Sequence, residues 1–470
     1  MRFDIRSPSL AQYHWSTLFC RFSPAAALPE NFIFRAIAAI AQNAAPWNTE
    51  GEFRATVALL HELAHLAQDL STGIGHWDFL VHASATRSRL DDAASMVRVH
   101  GPRPPYEPSA PISALDAEVP ATGLDTLLLK YAPFDLIADD QRDRLRRILE
   151  HDLGQPLGDD TLFDYSTQAI MESDAAGEVV AYVGGMLVSP EQRAILEGSL
   201  DLVDPRRLGK EYWRTRANLY QVLAHHCDLD ANATIRLGNL LFGLFADIAL
   251  AHPPATWVAK RSASLDDFEP LVKFGRLLIA FQRLAGASMD RFLTALMEGS
   301  DLEAERLLIE VSPIKYPASD EVYEAWATEL REHSEGSMVA KLRFNACEFR
   351  LSRGSVMRSR GLGILLEMEA PIIYLTPDQG FVKLDWGARI VDPSQNFGLT
   401  QELLDRFTVM ELADFLFRTG EFRCPYAEAQ ICRVAGDRCA TGLIHLAQIP
   451  NSPQCTVRGL LSHCGVDLPH

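Results

Sequence analysis

Apolar residues recur at helical spacing through much of this chain, and the clearest run lies near its start. From Gly51 to Leu70 the sequence reads GEFRATVALLHELAHLAQDL, without Pro or interior Gly and rich in Ala and Leu. Leu59, Leu63, Leu66 and Leu70 share one face, which predicts an amphipathic helix. Ser71, Thr72, Gly73 and Gly75 predict its end. Tyr165 to Tyr182 reads as a second helix. Others are expected in DDQRDRLRRILEHDL, KEYWRTRANLYQVLAHHC, DEVYEAWATELREHSEG and LTQELLDRFTVMELADFLFRTG. Strand signals are fewer: RFDIR, TLFCRF and SMVRVHG, and a hairpin in PIIYLTPDQGFVKLDW with Asp378-Gln379-Gly380 at its turn. Gly101 to Gly123 holds six Pro and predicts an irregular surface loop. The expected fold is mainly α with a small β component, an α+β chain without a fixed-period repeat.

This pattern divides the chain into five stretches. Residues 1–100 carry a small sheet and the first long helix, and 101–123 the Pro-rich loop. Residues 124–315 hold the second helix within a helical region. Residues 316–420 combine helices with the hairpin, and 421–470 form a Cys-rich tail.

The chemistry sits in the first helix. His61-Glu62-Leu63-Ala64-His65 is an H-E-x-x-H motif. Residues i and i+4 share a helical face, so His61 and His65 can offer two imidazole nitrogens to one metal ion. Glu62 stands one residue round, beside the metal, where a general base deprotonates a metal-bound water. The motif thus predicts His61 and His65 as metal ligands and Glu62 as the catalytic base.

HELAH on a long helix resembles the zincin superfamily of zinc metallopeptidases. The resemblance implies Zn²⁺ at the motif, a small sheet before the metal helix, and three protein ligands with a fourth position left for water. The branch that continues with a Gly and a third His is excluded, since Gln68 and Ser71 occupy those places. The gluzincin-like branch takes a Glu from a second helix. Glu172, among the small residues of AIMESDAAGE, matches it, because small neighbours let two helices approach. Glu172 to Glu178 resembles the third-ligand segment of gluzincin-like peptidases, with Ala176 where a supporting Asp would stand. Asp174 and Glu178 remain alternatives to Glu172. The resemblance covers residues 50 to 187.

Outer-shell support for the imidazoles can come from Asp69, Asp174 or Glu178, while Gln68 can point into the cleft. Tyr165, Tyr182, His76, His225 and His226 are candidates for an oxyanion donor. In the tail, Cys424, Cys432, Cys439, Cys455 and Cys464 cluster with His445 and His463. Such clustering without a secretion signal suggests a second, structural zinc or an iron–sulfur cluster. No C-x-x-C pair is present, so a set of buried, reduced Cys is an equal reading.

Composition narrows partners more than function. With 47% hydrophobic and 23% charged residues, the 470-residue chain reads as an ordinary globular protein. A net charge of −18 argues against nucleic-acid and anionic-membrane partners. The N-terminus lacks a signal-like apolar run, and LLFGLFADIALA is too short to span a bilayer, so a cytoplasmic location is expected. The expected function is a zinc-dependent metallopeptidase acting on a protein or peptide substrate. The alternative is a non-catalytic helical regulatory or binding protein with a structural or vestigial metal site, recognising a protein partner.

Overall fold

The first long helix begins where a capping arrangement starts it. Thr49 is extended, and its Oγ1 accepts from the Glu52 backbone N–H at 3.2 Å. The Glu52 carboxylate reaches back to the Asn48 N–H at 2.7 Å and accepts from Arg35 at 2.5 Å. The computed structural model describes residues 11–14, 18–22, 32–42, 44–80, 167–186, 219–220, 222–227, 231–261, 268–312, 316–353, 361–368, 372–376, 380–384, 422–424, 443–444 and 454–463, with a few single positions besides. Across them the protein is mostly helical.

In chain order the elements are β1 (Ala11–His14), β2 (Phe19–Phe22), α1 (Phe32–Ala41) and α2 (Glu50–Ser71). Then come α3 (Thr167–Met186), α4 (Ala231–Leu250), α5 (Ala255–Arg261), α6 (Pro270–Arg283), α7 (Ala287–Glu298) and α8 (Asp301–Val311). A helical hairpin follows, α9 (Ser319–Ser334) and α10 (Met338–Arg353), and then α11 (Gly361–Glu367), β3 (Ile372–Thr376) and β4 (Gly380–Leu384). These four strands form one sheet in the order β1-β2-β3-β4, and Phe422–Arg423 pairs antiparallel with Leu443–Ile444 in a separate two-stranded sheet. β1 and β3 each pair antiparallel with their sequence neighbour, while β2 and β3 pair in parallel, with Cys20 opposite Tyr374. SMVRVHG, RFDIR, the Pro-rich segment 101–123 and the turn residues 378–379 lie outside the described residues.

Helix α2 is the hub. It packs against α3, α10, α11, β1 and β2. The four Leu of its predicted apolar face are buried, but so are Glu62, His65, Gln68, Asp69 and Ser71. The expectation of a helix with one wet face therefore gives way to one enclosed on nearly all sides beyond Leu59. Buried polar groups must be paired, and those of α2 are paired by its neighbours.

Helix α2 ends where its sequence reading put it, but helical structure resumes directly after the break. Thr72 breaks the helix in extended conformation, and residues 73–80 continue as a further helix. Thr72 Oγ1 caps that second piece by accepting from the Gly75 N–H at 3.1 Å. Gly73 and Gly75 are there for close packing, not to stop a helix. A Cβ on Gly73 would lie 2.2 Å from the His252 carbonyl oxygen, and one on Gly75 would lie 2.0 Å from that of Asp69.

An extensive apolar cluster gathers round α4, where Phe242, Phe245 and Ile248 meet Phe274 and Phe281 of α6 and Phe292 of α7. Asp247 lies inside this apolar run and is answered by Arg350 of α10. No helix among the described residues is long and apolar enough to cross a membrane.

Candidate metal centre

Helices α2 and α3 meet where both carry chemistry. Ser173 and Ala175 of α3 are fully buried, and such small side chains let the two backbones approach. This brings Glu172 to the motif across a gap of 107 residues. Its Oε2 lies 2.9 Å from His61 Nε2 and 3.2 Å from His65 Nε2. The two Nε2 atoms are 3.1 Å apart. Among the described residues this is the one group of three or more His, Cys, Asp or Glu side chains placed to hold a metal ion.

The triangle can be tested against an ion's requirements. Tetrahedral zinc with bonds of about 2.0–2.1 Å separates its ligand atoms by roughly 3.3–3.4 Å. The observed edges fall within a few tenths of an ångström of that spacing. Two imidazole nitrogens and one carboxylate oxygen are also a donor set that zinc uses with a fourth position open. His61 and Glu172 keep 16% and 20% of their side-chain surface exposed, against 6% for His65, so the cluster is reachable from the His61–Glu172 side.

Without an ion the same atoms hold one another. Burial opposes a charge on His65, but the Glu172 carboxylate outweighs it. With help from Glu62 and Gln68, it raises the His65 pKa to about 9. Burial likewise works against an ionised Glu172, yet the two imidazoles hold its carboxyl well below the usual range. Metal-free, the cluster is an imidazolium–carboxylate pair, and a divalent cation would take the place of a proton. Glu62 is buried one residue round from His61, close enough to His65 to act on its charge.

Behind His65 stands Gln68. Its Oε1 lies 2.9 Å from His65 Nδ1, while its Nε2 donates to the Met171 carbonyl at 2.9 Å and to Asp174 Oδ2 at 3.1 Å. The sequence reading placed Gln68 toward the cleft and gave outer-shell support to Asp69, Asp174 or Glu178. In the structure Gln68 gives that support, and Asp174 holds Gln68. Ala176 is half-buried with no polar side chain to contribute. The signal for Gln68 was its i+3 spacing from His65, which puts it on the adjoining face.

The remaining candidates lie elsewhere. Asp69 points away from the cluster to Arg343, at 2.5 Å. His76 is fully buried, with its Nε2 3.0 Å from Cys347 Sγ and its ring against Trp326. His225 is exposed, and His226 lies 3.0 Å from the Leu284 carbonyl oxygen. Tyr165 and the Tyr182 side chain lie outside what is described, as do Cys432, Cys439, Cys464 and His445 of the tail. Cys424 and Cys455 are buried and not in disulfides.

Comparison with models of known protein families, with curated proteins and with solved structures found no match. The site therefore has to be read from its own geometry.

Proposed function

We propose that this protein is a zinc-dependent metallopeptidase with a zincin-like core, in which a small sheet and a carboxylate-bearing second helix flank the motif helix. The observation that carries the reading is the triangle of His61 Nε2, His65 Nε2 and Glu172 Oε2, closed to about the spacing of ligands on one zinc ion. Zinc at that point supplies Lewis acidity and a water of lowered pKa. The chain's own residues supply the rest. His61, His65 and Glu172 would hold the ion, with a further position available to water and substrate. Glu62 accepts the proton of the attacking water and returns it to the leaving nitrogen of the cleaved peptide bond. Its burial beside the cluster keeps this carboxylate out of bulk water and close to the charge it must manage.

The test is Glu62→Gln in the full chain, with metal analysis and a peptide-library cleavage assay. The variant should bind zinc with wild-type stoichiometry and lose about 10²–10⁴-fold in kcat/KM. His61→Ala and Glu172→Ala should lose the metal itself. Cleavage that survives Glu62→Gln would sink the mechanism. Stoichiometric zinc with no cleavage by the wild type would favour a non-catalytic metal-binding protein.

A further inference from the structure

Gln68 is buried between the two helices that bear the ligands, and its amide can take only one orientation there. Two of its neighbours, the Met171 carbonyl oxygen and the Asp174 carboxylate, are acceptors, so both must face the NH₂ group. The carbonyl oxygen is then left to face His65 Nδ1, at 2.9 Å. An acceptor in that place requires a proton on Nδ1, so the lone pair of the neutral ring falls on Nε2, the atom that points at His61 and Glu172.

We propose that Gln68 is the positioning residue of this centre: its amide sets the tautomer and ring orientation of His65, and Asp174 and the Met171 carbonyl in turn set the amide. The inference rests on the metal reading above. The residue type follows from the surroundings. A carboxylate at this position would accept from His65 equally well, but would face the Asp174 carboxylate and the Met171 carbonyl with no proton to offer either. A hydrocarbon would leave the Nδ1–H, the Asp174 carboxylate and the Met171 carbonyl each short of a partner that Gln68 now provides. Gln is thus the side chain that is an acceptor toward the ligand and a donor toward the second helix. The same amide joins α2 to α3, so the orientation of His65 and the approach of Glu172 are coupled through it.

The experiment measures zinc affinity by chelator competition, and the visible spectrum of the cobalt(II)-substituted protein, on the full chain. Folding is checked by circular dichroism. Gln68→Leu should weaken zinc by about 10–100-fold, the usual cost of removing an outer-shell partner, and should shift the cobalt bands. Gln68→Glu combined with Asp174→Asn restores an acceptor for His65 and a donor to hold it, with the roles of the pair exchanged. It should bind zinc more tightly than either Gln68→Leu or Gln68→Glu alone. Wild-type zinc affinity and an unchanged cobalt spectrum in Gln68→Leu would overturn the proposal. So would a double variant no better than Gln68→Glu, since the role would then be helix packing alone. If Gln68→Leu does not fold, that second comparison decides. A wild type that takes up no zinc overturns the metal reading and this inference together, whereas a zinc-binding wild type with an indifferent Gln68→Leu overturns this inference only.

Discussion

Helix α2 carries two polar clusters between His61 and Ser71, and they are built on opposite principles. At His61 and His65 the polar atoms converge on one another and on Glu172, and keep some exposure on the His61–Glu172 side. At Asp69 and Ser71 they are enclosed and matched by fixed cations. Arg343 pairs with the Asp69 carboxylate at 2.5 Å and also reaches the Asp69 carbonyl oxygen. Arg350 binds the Ser71 carbonyl, the Tyr323 hydroxyl at 2.8 Å and the Asp247 carboxylate. Both guanidinium groups come from α10 and sit at the C-terminus of α2, where orphan carbonyls and the negative end of the helix dipole favour cations. One cluster can exchange a proton for a ligand, and the other anchors the helix that presents it. A reactive centre needs groups left partly unmatched, and those groups can only be aimed from a rigid support.

The comparison is broken most directly by removing the anchor. Arg343→Met removes the cation paired with the wholly buried Asp69 carboxylate and should cost about 3–5 kcal/mol in urea unfolding. Adding Asp69→Leu should recover much of that loss, because the buried charge that Arg343 paired is then removed as well. His61→Ala, at the partly exposed cluster, should lose zinc while costing far less stability. Equal losses for Arg343→Met and His61→Ala would erase the distinction between the clusters.

A smaller effect is expected at the break between α2 and residues 73–80. Gly73→Ala drives a Cβ toward the His252 backbone and should cost about 1–3 kcal/mol in thermal unfolding. The metal site should be affected only as far as the helix moves, so the zinc affinity of the folded fraction is expected to stay within a few fold. A variant as stable as wild type would show that the close approach can relax.

The finest test is pH, because His65 and the buried imidazoles of His76 and His252 respond with opposite sign. Burial, with the charges of Arg343 and Arg350, holds His76 well below its usual pKa. Burial also lowers His252 to about 3, although a hydrogen bond to the Pro253 carbonyl works the other way. Below about pH 6.5 the unfolded chain takes up protons that these folded imidazoles refuse, so stability falls on acidification. The loss approaches about 1.4 kcal/mol per pH unit for each His until its folded pKa is reached. His65 of the metal-free protein is raised to about 9, so its contribution is full below about pH 6.5 and is lost as pH climbs toward 9. Denaturant midpoints of the metal-free protein across pH 4 to 9 should therefore show both limbs. His65→Ala should remove the alkaline limb and leave the acid one. An acid limb missing from the wild type would contradict the neutral, buried state of His76 and His252.

How much of this could be read beforehand depends on the range of the interaction. The H-E-x-x-H helix was legible because i, i+4 neighbours are a property of one helix, set by backbone geometry whatever packs around it. Glu172 could be nominated by its small neighbours, but not told apart from Asp174 or Glu178. Rotation of α3 about its axis decides which carboxylate faces α2, and packing sets that rotation. The role of Gln68 was missed for a related reason. Its position on α2 was known, but the acceptors that fix its amide belong to α3. Gly73 was read as punctuation because the backbone it accommodates, that of His252, comes from far along the chain, and Gly75 because the break after Ser71 folds it back onto Asp69.

By itself, the sequence determined that two imidazoles stand on one helical face with a carboxylate next in the chain, since one helical turn brings residues i and i+4 together. Only the tertiary structure decided which distant carboxylate completes the cluster, which amide steadies His65, and which arginines bury the end of the helix. Those choices depend on how close separate helices come and on their rotation, and both follow from the packing of all of them at once.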